Sequence, residues 1–262
     1  MWKSNPSSRT LPYVVGMPTG FLVCVTKNSV NLKCKTDDVM DILFEAIRNK
    51  DLTQLLALLN QGADANARDE YGYTPLTWAV DCGDLAIVTN LLKRGADVNM
   101  PGFMSRVPLM SVIFSMSAEK ASMMRILLDH GATLDARTQR DNQSYGGMTA
   151  LMFAVQIASL EMVLLLVEAG ADVNASEEGG TSVLMWATRY LPEATGIDQA
   201  ERPAVVAYLL QHGADVNAKS KEEGGNLTAL DFARQNNRKD IEQLLLQAGA
   251  KTGQELDAEA KH

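Results

Sequence analysis

The chain has 262 residues, of which 46% are hydrophobic, so it can bury one large core or two small ones and is not disordered overall. Its formal net charge of −8 argues against nucleic acid as a partner, because proteins bind the phosphate backbone chiefly through Lys and Arg. Its longest hydrophobic runs fall far short of the ~20 residues that a membrane-spanning helix requires.

The first 36 residues form a basic N-terminal extension. They contain five basic residues and no acidic residue, so they carry a charge of +5, which leaves −13 for residues 37–262. Within the extension, Phe21–Val25 is a hydrophobic run, and Val30–Lys35 alternates hydrophobic with polar residues around turn-forming residues. This pattern predicts a β-hairpin over residues 21–35. The hairpin either caps the unit that follows or belongs to a basic arm that becomes ordered on a partner.

Two cysteines lie in the predicted hairpin. With a three-residue turn centred on Ser29, Cys24 is directly opposite Cys34, a geometry that permits a disulfide. A disulfide would indicate the periplasm or the secretory route, whereas two reduced thiols would indicate the cytoplasm. The sequence leaves both alternatives open.

The rest of the chain is built from internal repeats. A Gly-Ala pair recurs at intervals of 33, 36, 39, 43 and 36 residues, beginning at Gly62, and most copies continue as Gly-Ala-Asp-Val-Asn or a close variant. Five of the six pairs are preceded by a second string, which reads Thr-Pro-Leu at Thr74 and Thr-Ala-Leu or a variant elsewhere. Six Gly-Ala pairs predict six structural units.

The residues of the second unit explain why each unit folds as two helices. Thr74 is suited to cap a helix, and Pro75 at the first helical position has no N–H to leave unpaired. Gly83 and Gly95 can adopt the positive φ that ends a helix. Neither short helix buries its hydrophobic stripe alone, so the units must stack.

These motifs resemble the ankyrin repeat over residues 37–250, most completely from Gly72 to Asn99. The resemblance implies an all-α solenoid of stacked helix–turn–helix units with hairpin-like fingers between them, here with the short N-terminal β-hairpin added. The six units cover residues 37–66, 67–99, 100–135, 136–174, 175–217 and 218–250, and residues 251–262 form a polar tail that we expect to fray. Extra residues in the third and fifth units should lie between the paired helices, in the fifth unit over 191–203.

Few residues suggest chemistry. We predict no catalytic residue, metal or cofactor, because the sequence lacks metal-ligand spacing and a phosphate-binding loop. His130 and His212 directly precede two of the repeat glycines, where an imidazole can bind the last helical carbonyl groups. A less favoured alternative is an enzyme whose site lies in the 191–203 insertion, with Glu193 and Asp198 as its acidic residues.

The resemblance implies a non-enzymatic protein that grips a partner protein along a concave face lined by fingers and first helices. The acidic body favours a partner with a basic surface patch, and the unbound chain is expected to be monomeric. Its role would be that of an immunity protein or inhibitor of a toxic effector, or of an accessory factor that protects a partner; the alternative is a cytosolic scaffold or substrate adaptor. Carried over by position, the residues expected to contact the partner are Arg68, Glu70, Tyr71, Tyr73, Asp81, Phe103, Met104, Arg106, Tyr145, Met148, Gln156, Glu178, Arg189 and Tyr190.

Overall fold

The computed structural model describes residues 13–14, 24–26, 29–31, 36–139, 146–189, 200–221 and 226–261. These residues include thirteen α-helices, of which the first twelve form six consecutive pairs. The first helices of the pairs are α1 (Thr36–Arg48), α3 (Pro75–Cys82), α5 (Pro108–Phe114), α7 (Ala150–Gln156), α9 (Val183–Thr188) and α11 (Ala229–Gln235). The second helices are α2 (Leu52–Asn60), α4 (Leu85–Lys93), α6 (Lys120–Asp129), α8 (Leu160–Glu168), α10 (Arg202–Gln211) and α12 (Lys239–Gln247).

The six pairs stack side by side into a two-layer solenoid. Each first helix contacts the first helix of the next unit, from α1 to α11, and each second helix contacts the next second helix. One continuous hydrophobic core, from Ile42 to Ala250, lies between the two layers. The predicted all-α solenoid is confirmed. Among the described residues, none of the helices combines the length and the hydrophobicity needed to cross a bilayer.

The predicted helix boundaries of the second unit follow the capping residues. The Thr74 hydroxyl accepts a hydrogen bond from the backbone N–H of Thr77, and Pro75 is the first residue of α3. Gly83 ends α3 with a φ of 68°, and Gly95 follows α4 with a φ of 86°. Thr or Ser at the same place caps α7, α9 and α11, whereas Val107 provides no side-chain cap for α5.

A ladder of asparagine side chains ties the units together. In its first step, Asn66 Nδ2 donates to the Gly95 carbonyl over 3.0 Å, and the Asn66 amide oxygen accepts from the Asp97 N–H over 2.7 Å. Asn99, Asn174 and Asn217 repeat both bonds towards the unit that follows each of them. Because each asparagine satisfies one free carbonyl and one free N–H of its neighbour, the ladder fixes the spacing between units.

The third and fifth units carry their extra residues between the paired helices, as predicted. Residues 115–119 separate α5 from α6. Helix α10 begins at Arg202, so Arg202 and Pro203 belong to this helix and not to the predicted 191–203 insertion. Within the 191–203 insertion, residues 191–199 lie outside the described residues, and these include the acidic residues of the alternative enzyme hypothesis.

The N-terminal extension contains three short antiparallel strands, β1 (Tyr13–Val14), β2 (Cys24–Thr26) and β3 (Ser29–Asn31), in the order β1-β2-β3. The hairpin of β2 and β3 is therefore present, but its register differs from the expected one. Cys24 pairs with Asn31 and Thr26 with Ser29, so only two residues connect the strands. The predicted register, with Cys24 opposite Cys34, is wrong because the turn is one residue shorter and is not centred on Ser29. Cys34 itself lies outside the described residues.

The C-terminal segment is not a frayed tail. Residues Gly253–Glu259 form a further helix, α13, whose N-terminus is closed by a capping box between Thr252 and Glu255. The backbone N–H of Gly253 donates to Asp231 Oδ2 over 2.8 Å, and Asp257 pairs with Lys219 over 2.7 Å. Helix α13 thus packs on the last unit, at the end of the core where a further repeat would otherwise stack.

Candidate functional site

We call the surface that the first helices and the described residues of the fingers present the first-helix face. Two positions three residues apart recur on each first helix of this face, and Trp78 and Asp81 occupy them in the second unit. At three junctions between units, the later position of one unit contacts the earlier position of the next. The guanidinium carbon of Arg48 lies 5.9 Å from the ring centroid of Trp78, and that of Arg189 lies 5.4 Å from the ring centroid of Phe232. The ring centroids of Phe114 and Phe153 are 5.3 Å apart.

This pairing arises from the repeat itself. Side chains three residues apart on a helix lie on the same face, and stacked first helices bring that face of one unit beside the next. The second and third units place polar groups at the corresponding positions, Asp81 and Ser111, and the Ser111 hydroxyl acts to lower the pKa of the Asp81 carboxylate. The row therefore combines aromatic rings with charged groups along most of the solenoid.

The first finger is held rigidly against α3 by one carboxylate. Asp69 accepts hydrogen bonds from the backbone N–H groups of Tyr71 and Tyr73, over 3.0 and 2.8 Å, and from Trp78 Nε1 over 2.9 Å. The guanidinium of Arg68 donates to the Gly72 carbonyl across the same finger over 3.0 Å. These bonds fix the orientation of the finger before any partner arrives.

Three aromatic rings extend from α3 to the second finger. The Tyr73 ring lies 4.9 Å from the Trp78 ring, at a tilt of 33°, and stacks on Phe103 at 5.2 Å with 14° between the planes. Phe103 is 43% exposed, as expected for a residue at a fingertip, and Tyr71 is 65% exposed. Aromatic rings of this kind bury a large area at little cost in conformational entropy.

The third unit adds a second aromatic group. The Arg106 guanidinium lies over the ring of Phe114 at 4.6 Å and over that of Phe153 at 5.6 Å. Phe114 is 39% exposed at the end of α5, yet it is absent from the predicted contact residues. The sequence could have identified Phe114 as a contact residue, because it occupies the same place in α5 as Asp81, a predicted contact residue, does in α3.

The protein environment raises the pKa of Asp81. Although its side chain is exposed, the surrounding protein removes enough water to raise its pKa from 3.8 to about 6, while the Arg106 charge and the Ser111 hydroxyl act to lower it. The pKa of Tyr73 is raised first by burial and then by the charges of Asp81 and Asp69. The pKa of Tyr71 is raised chiefly by its hydrogen bond with Glu70.

The remaining predicted contact residues have different outcomes. Glu70 and Glu178 are exposed, whereas Gln156 and Arg189 are half-buried, the latter with its guanidinium 4.7 Å from the Trp186 ring. Met148 is buried, so its predicted role in partner contact is wrong: it directly precedes the capping residue of α7, and its side chain belongs to the core. The Met104 side chain and residues Tyr145 and Tyr190 lie outside what the structure describes.

The two histidines satisfy backbone carbonyls. His130 Nδ1 donates to the Ile126 carbonyl, and His212 Nδ1 donates to the Tyr208 carbonyl, each over 2.8 Å. The predicted structural role of both is confirmed. Across the described residues, no group of three or more His, Cys, Asp or Glu side chains is arranged to hold a metal ion.

Family models and known proteins agree with this architecture. The model described as "Ankyrin repeats (3 copies)" matches residues 19–101 and 108–177, and the single "Ankyrin repeat" model matches residues 179–221, together more than half of the chain. The neurogenic locus notch homolog protein 1 of Xenopus tropicalis is 33% identical over 167 residues, which are 63% of this chain and 6% of that protein. A putative ankyrin repeat protein of Rickettsia felis is 23% identical over 205 residues, 78% of this chain and 49% of that protein. The chain thus spans less than half the length of these curated relatives.

Solved structures show the same fold. An ankyrin repeat domain from Acinetobacter baumannii AYE is similar with a TM-score of 0.67 and 31% identity, covering 80% of this chain and 98% of that one. A chain in the complex of a predatory endopeptidase with an immunity protein from Bdellovibrio bacteriovorus is similar with a TM-score of 0.64 and 25% identity, covering 79% and 97%. The chain therefore belongs to the ankyrin-repeat family, whose repeats form protein–protein interaction modules.

Proposed function

We propose that the chain binds a partner protein along its first-helix face, with the contact centred on the second and third units. One observation carries this proposal: in the described part of the chain, every large aromatic side chain that is exposed lies on this face and in these two units. They are Tyr71, Phe103 and Phe114. Exposed aromatic residues beside arginine are the types that dominate binding energy at protein interfaces.

The rigidity of this surface supports the same function. Asp69 fixes the first finger by three hydrogen bonds, and the stacked rings of Trp78, Tyr73 and Phe103 connect that finger to the second. A surface that is already ordered loses little entropy when a partner binds, so more of the contact energy appears as affinity.

The charge of the face favours a basic patch on the partner. Glu70, Asp81 and Glu178 are exposed there, and residues 37–262 carry a charge of −13. The guanidinium groups of Arg106 and Arg189 lie over aromatic rings of this chain and extend the aromatic contact area. Acidic groups around an aromatic centre speed the association with a basic surface and exclude acidic ones.

We further propose that the bound partner is an enzyme or toxic effector whose activity the chain inhibits. The likeness to a chain in the endopeptidase–immunity protein complex, over 79% of this chain, supports this narrower role. A tight-binding inhibitor acts stoichiometrically, so one equivalent of the chain should abolish the partner's activity. A scaffold or adaptor would leave that activity unchanged.

Partner capture with matched variants tests the binding surface. The double variant Phe103→Ala/Phe114→Ala removes two exposed rings from the first-helix face, whereas Leu246→Ala removes an exposed hydrophobic side chain from the second helix α12. We expect the double variant to bind the purified partner at least about 10-fold more weakly and Leu246→Ala to bind as the wild type does, since interface aromatics contribute about 1–4 kcal/mol each. Equal affinity of the double variant and the wild type would contradict the proposed surface.

A further inference from the structure

A cleft opens on the first-helix face between α1 and the first finger. It has a volume of about 280 Å³, and its walls are Met40, Asp41, Phe44, Arg48, Asp69, Glu70, Tyr71 and Trp78. One water molecule occupies about 30 Å³ in the liquid, so the cleft has room for the end of a long side chain.

The two sides of the cleft come from different parts of the repeat. Met40, Phe44 and Arg48 are spaced four residues apart and therefore form one stripe along α1. The opposite side is the tip of the first finger, which Asp69 holds in place through Trp78. Because both sides are anchored to neighbouring units, the cleft is formed before anything binds.

The lining of the cleft is both aromatic and acidic. Three carboxylates, those of Asp41, Asp69 and Glu70, face one guanidinium, that of Arg48. The Asp69 carboxylate is occupied by its three hydrogen bonds to the finger and to Trp78. Asp41 and Glu70 are exposed beside the Tyr71 ring, which is itself 65% exposed. The charge of the cleft is therefore complementary to a cation, and the exposed Tyr71 ring offers that cation a π face.

We propose that this cleft is a receptor for an arginine side chain of the partner, which stacks on the exposed Tyr71 ring beside Trp78 and donates hydrogen bonds to Asp41 and Glu70. The inference rests on the proposed function, because it assigns one contact within the same binding face. Arginine is favoured over lysine because its planar guanidinium can stack on a ring and still donate in its own plane to two carboxylates. The stacking ring is Tyr71 and not Trp78, because the Trp78 ring already has the Arg48 guanidinium at 5.9 Å and the Tyr73 ring at 4.9 Å.

A defined peptide tests the proposal on the full chain. The probe is acetyl-Gly-Arg-Gly-amide, followed by the indole N–H signals of Trp78 and Trp186 in an NMR titration. We expect saturable shifts of the Trp78 signal, with a dissociation constant of about 1 mM, and no shift of the Trp186 signal, because Trp186 lies on α9 far along the solenoid. The same peptide with citrulline, which has the shape of arginine without the charge, should bind at least about 10-fold more weakly, and the lysine peptide about 3-fold more weakly.

Matched variants assign the contacts. Asp41→Asn and Glu70→Gln should each weaken the arginine peptide about 3-fold, and Tyr71→Ala by a similar factor, whereas Glu161→Gln on α8 removes an exposed carboxylate elsewhere and should change nothing. Equal binding of the arginine and citrulline peptides, or a saturating titration that leaves the Trp78 signal unmoved, would overturn the proposal. Self-association of the chain that Glu70→Gln abolishes would assign the cleft to a second copy, which would also overturn it.

The arginine receptor and the proposed binding face can fail independently of each other. If partner binding depends on Phe103 and Phe114 while the arginine peptide does not bind, the first-helix face stands as the interface and the arginine receptor is wrong. If neither partner binding nor arginine-peptide binding depends on residues of the first-helix face, both proposals fail.

Discussion

The guanidinium of Arg202, at the first position of α10, donates a hydrogen bond from Nη1 to the backbone carbonyl of Ala187, near the end of α9, over 3.1 Å. Nη2 of the same side chain donates to the carbonyl of Gln156, the last residue of α7, over 3.0 Å. Arg202 is fully buried, and burial, with a smaller effect of the Arg238 charge, lowers its pKa to about 10. It therefore stays charged at neutral pH and satisfies carbonyls that the ends of two first helices leave free.

Replacing Arg202 should weaken the middle of the solenoid. We expect Arg202→Met to lower the free energy of unfolding by about 2–4 kcal/mol, because it leaves buried carbonyl groups in two units without a donor. Urea denaturation followed by circular dichroism measures this. Arg202→Lys retains the charge but has one nitrogen in place of three, so it should lose an intermediate amount. An unchanged midpoint for Arg202→Met would show that the hydrogen bonds contribute nothing to stability.

The asparagine ladder has one imperfect step. At the junction of the third and fourth units Asp135 stands in place of asparagine, accepts from the Asp172 N–H over 3.2 Å and has no N–H to donate to the neighbouring Gly170 carbonyl. We expect Asp135→Asn to restore the missing bond and to raise the free energy of unfolding by about 0.5–1.5 kcal/mol. The reverse change at a complete step, Asn99→Asp, should lower it by a similar amount. Thermal and urea unfolding measure both, and an Asp135→Asn protein no more stable than the wild type would refute the role of the ladder.

The raised pKa of Asp81 makes stability depend on pH. The pKa of Asp81 is about 6 in the folded chain and close to 3.8 in the unfolded chain. Between pH 3.8 and pH 6, therefore, Asp81 is protonated to a greater extent in the folded state than in the unfolded state. Raising the pH from about 4 to about 6 should therefore destabilise the wild type relative to Asp81→Asn, with a constant difference above that window. Urea midpoints of the two proteins across pH 4–8 provide the measurement. Parallel curves throughout would mean that the Asp81 pKa is not raised.

The same carboxylate should make partner binding depend on pH. A cationic group of the partner at Asp81 prefers the ionised carboxylate, so affinity should fall as the pH drops below about 6. Asp81→Asn should weaken binding at pH 7 and remove this dependence. Calorimetric titrations at pH 5 and pH 7 compare the two proteins. Wild-type affinity that is the same at both values would place the partner's cation elsewhere on the face.

Helix α13 depends on the absence of a side chain at Gly253. A Cβ atom there would overlap the backbone carbonyl of Asn226. We expect Gly253→Ala to displace α13 from the last unit, to accelerate hydrogen exchange in residues 253–259 and to cost about 1–3 kcal/mol of stability. Gln254→Ala, at the exposed neighbouring position, is the control and should leave both unchanged. Unaltered exchange in Gly253→Ala would show that the helix does not need this close contact.

Most of the repeat scaffold follows from local signals in the sequence. Thr74, Pro75 and Gly83 predict where α3 begins and ends, and the structure uses them as expected. Such signals work because caps and positive φ angles are requirements of the backbone within a few residues. The Thr252-x-x-Glu255 capping box is a signal of the same kind, but the strongly polar sequence around it suggested a tail without a helix.

The remaining differences come from contacts between distant residues. Arginine is a residue type that is usually exposed, but Arg202 is buried because its guanidinium donates hydrogen bonds to carbonyls 15 and 46 residues away in the sequence. Met148 lies at the edge of a long finger in sequence, yet stacking places it in the core. The aromatic and charged row on the first-helix face likewise exists only between units, so no single repeat displays it.

Hydrogen–deuterium exchange of the chain with and without its purified partner locates the binding surface. If the first-helix face is the interface, the partner should slow exchange in the fingers at residues 66–73 and 99–106 and leave the loops beside α2, α4 and α12 unaffected. Protection confined to the second-helix layer, with exchange in both fingers unchanged, would mean that the first-helix face is not the interface.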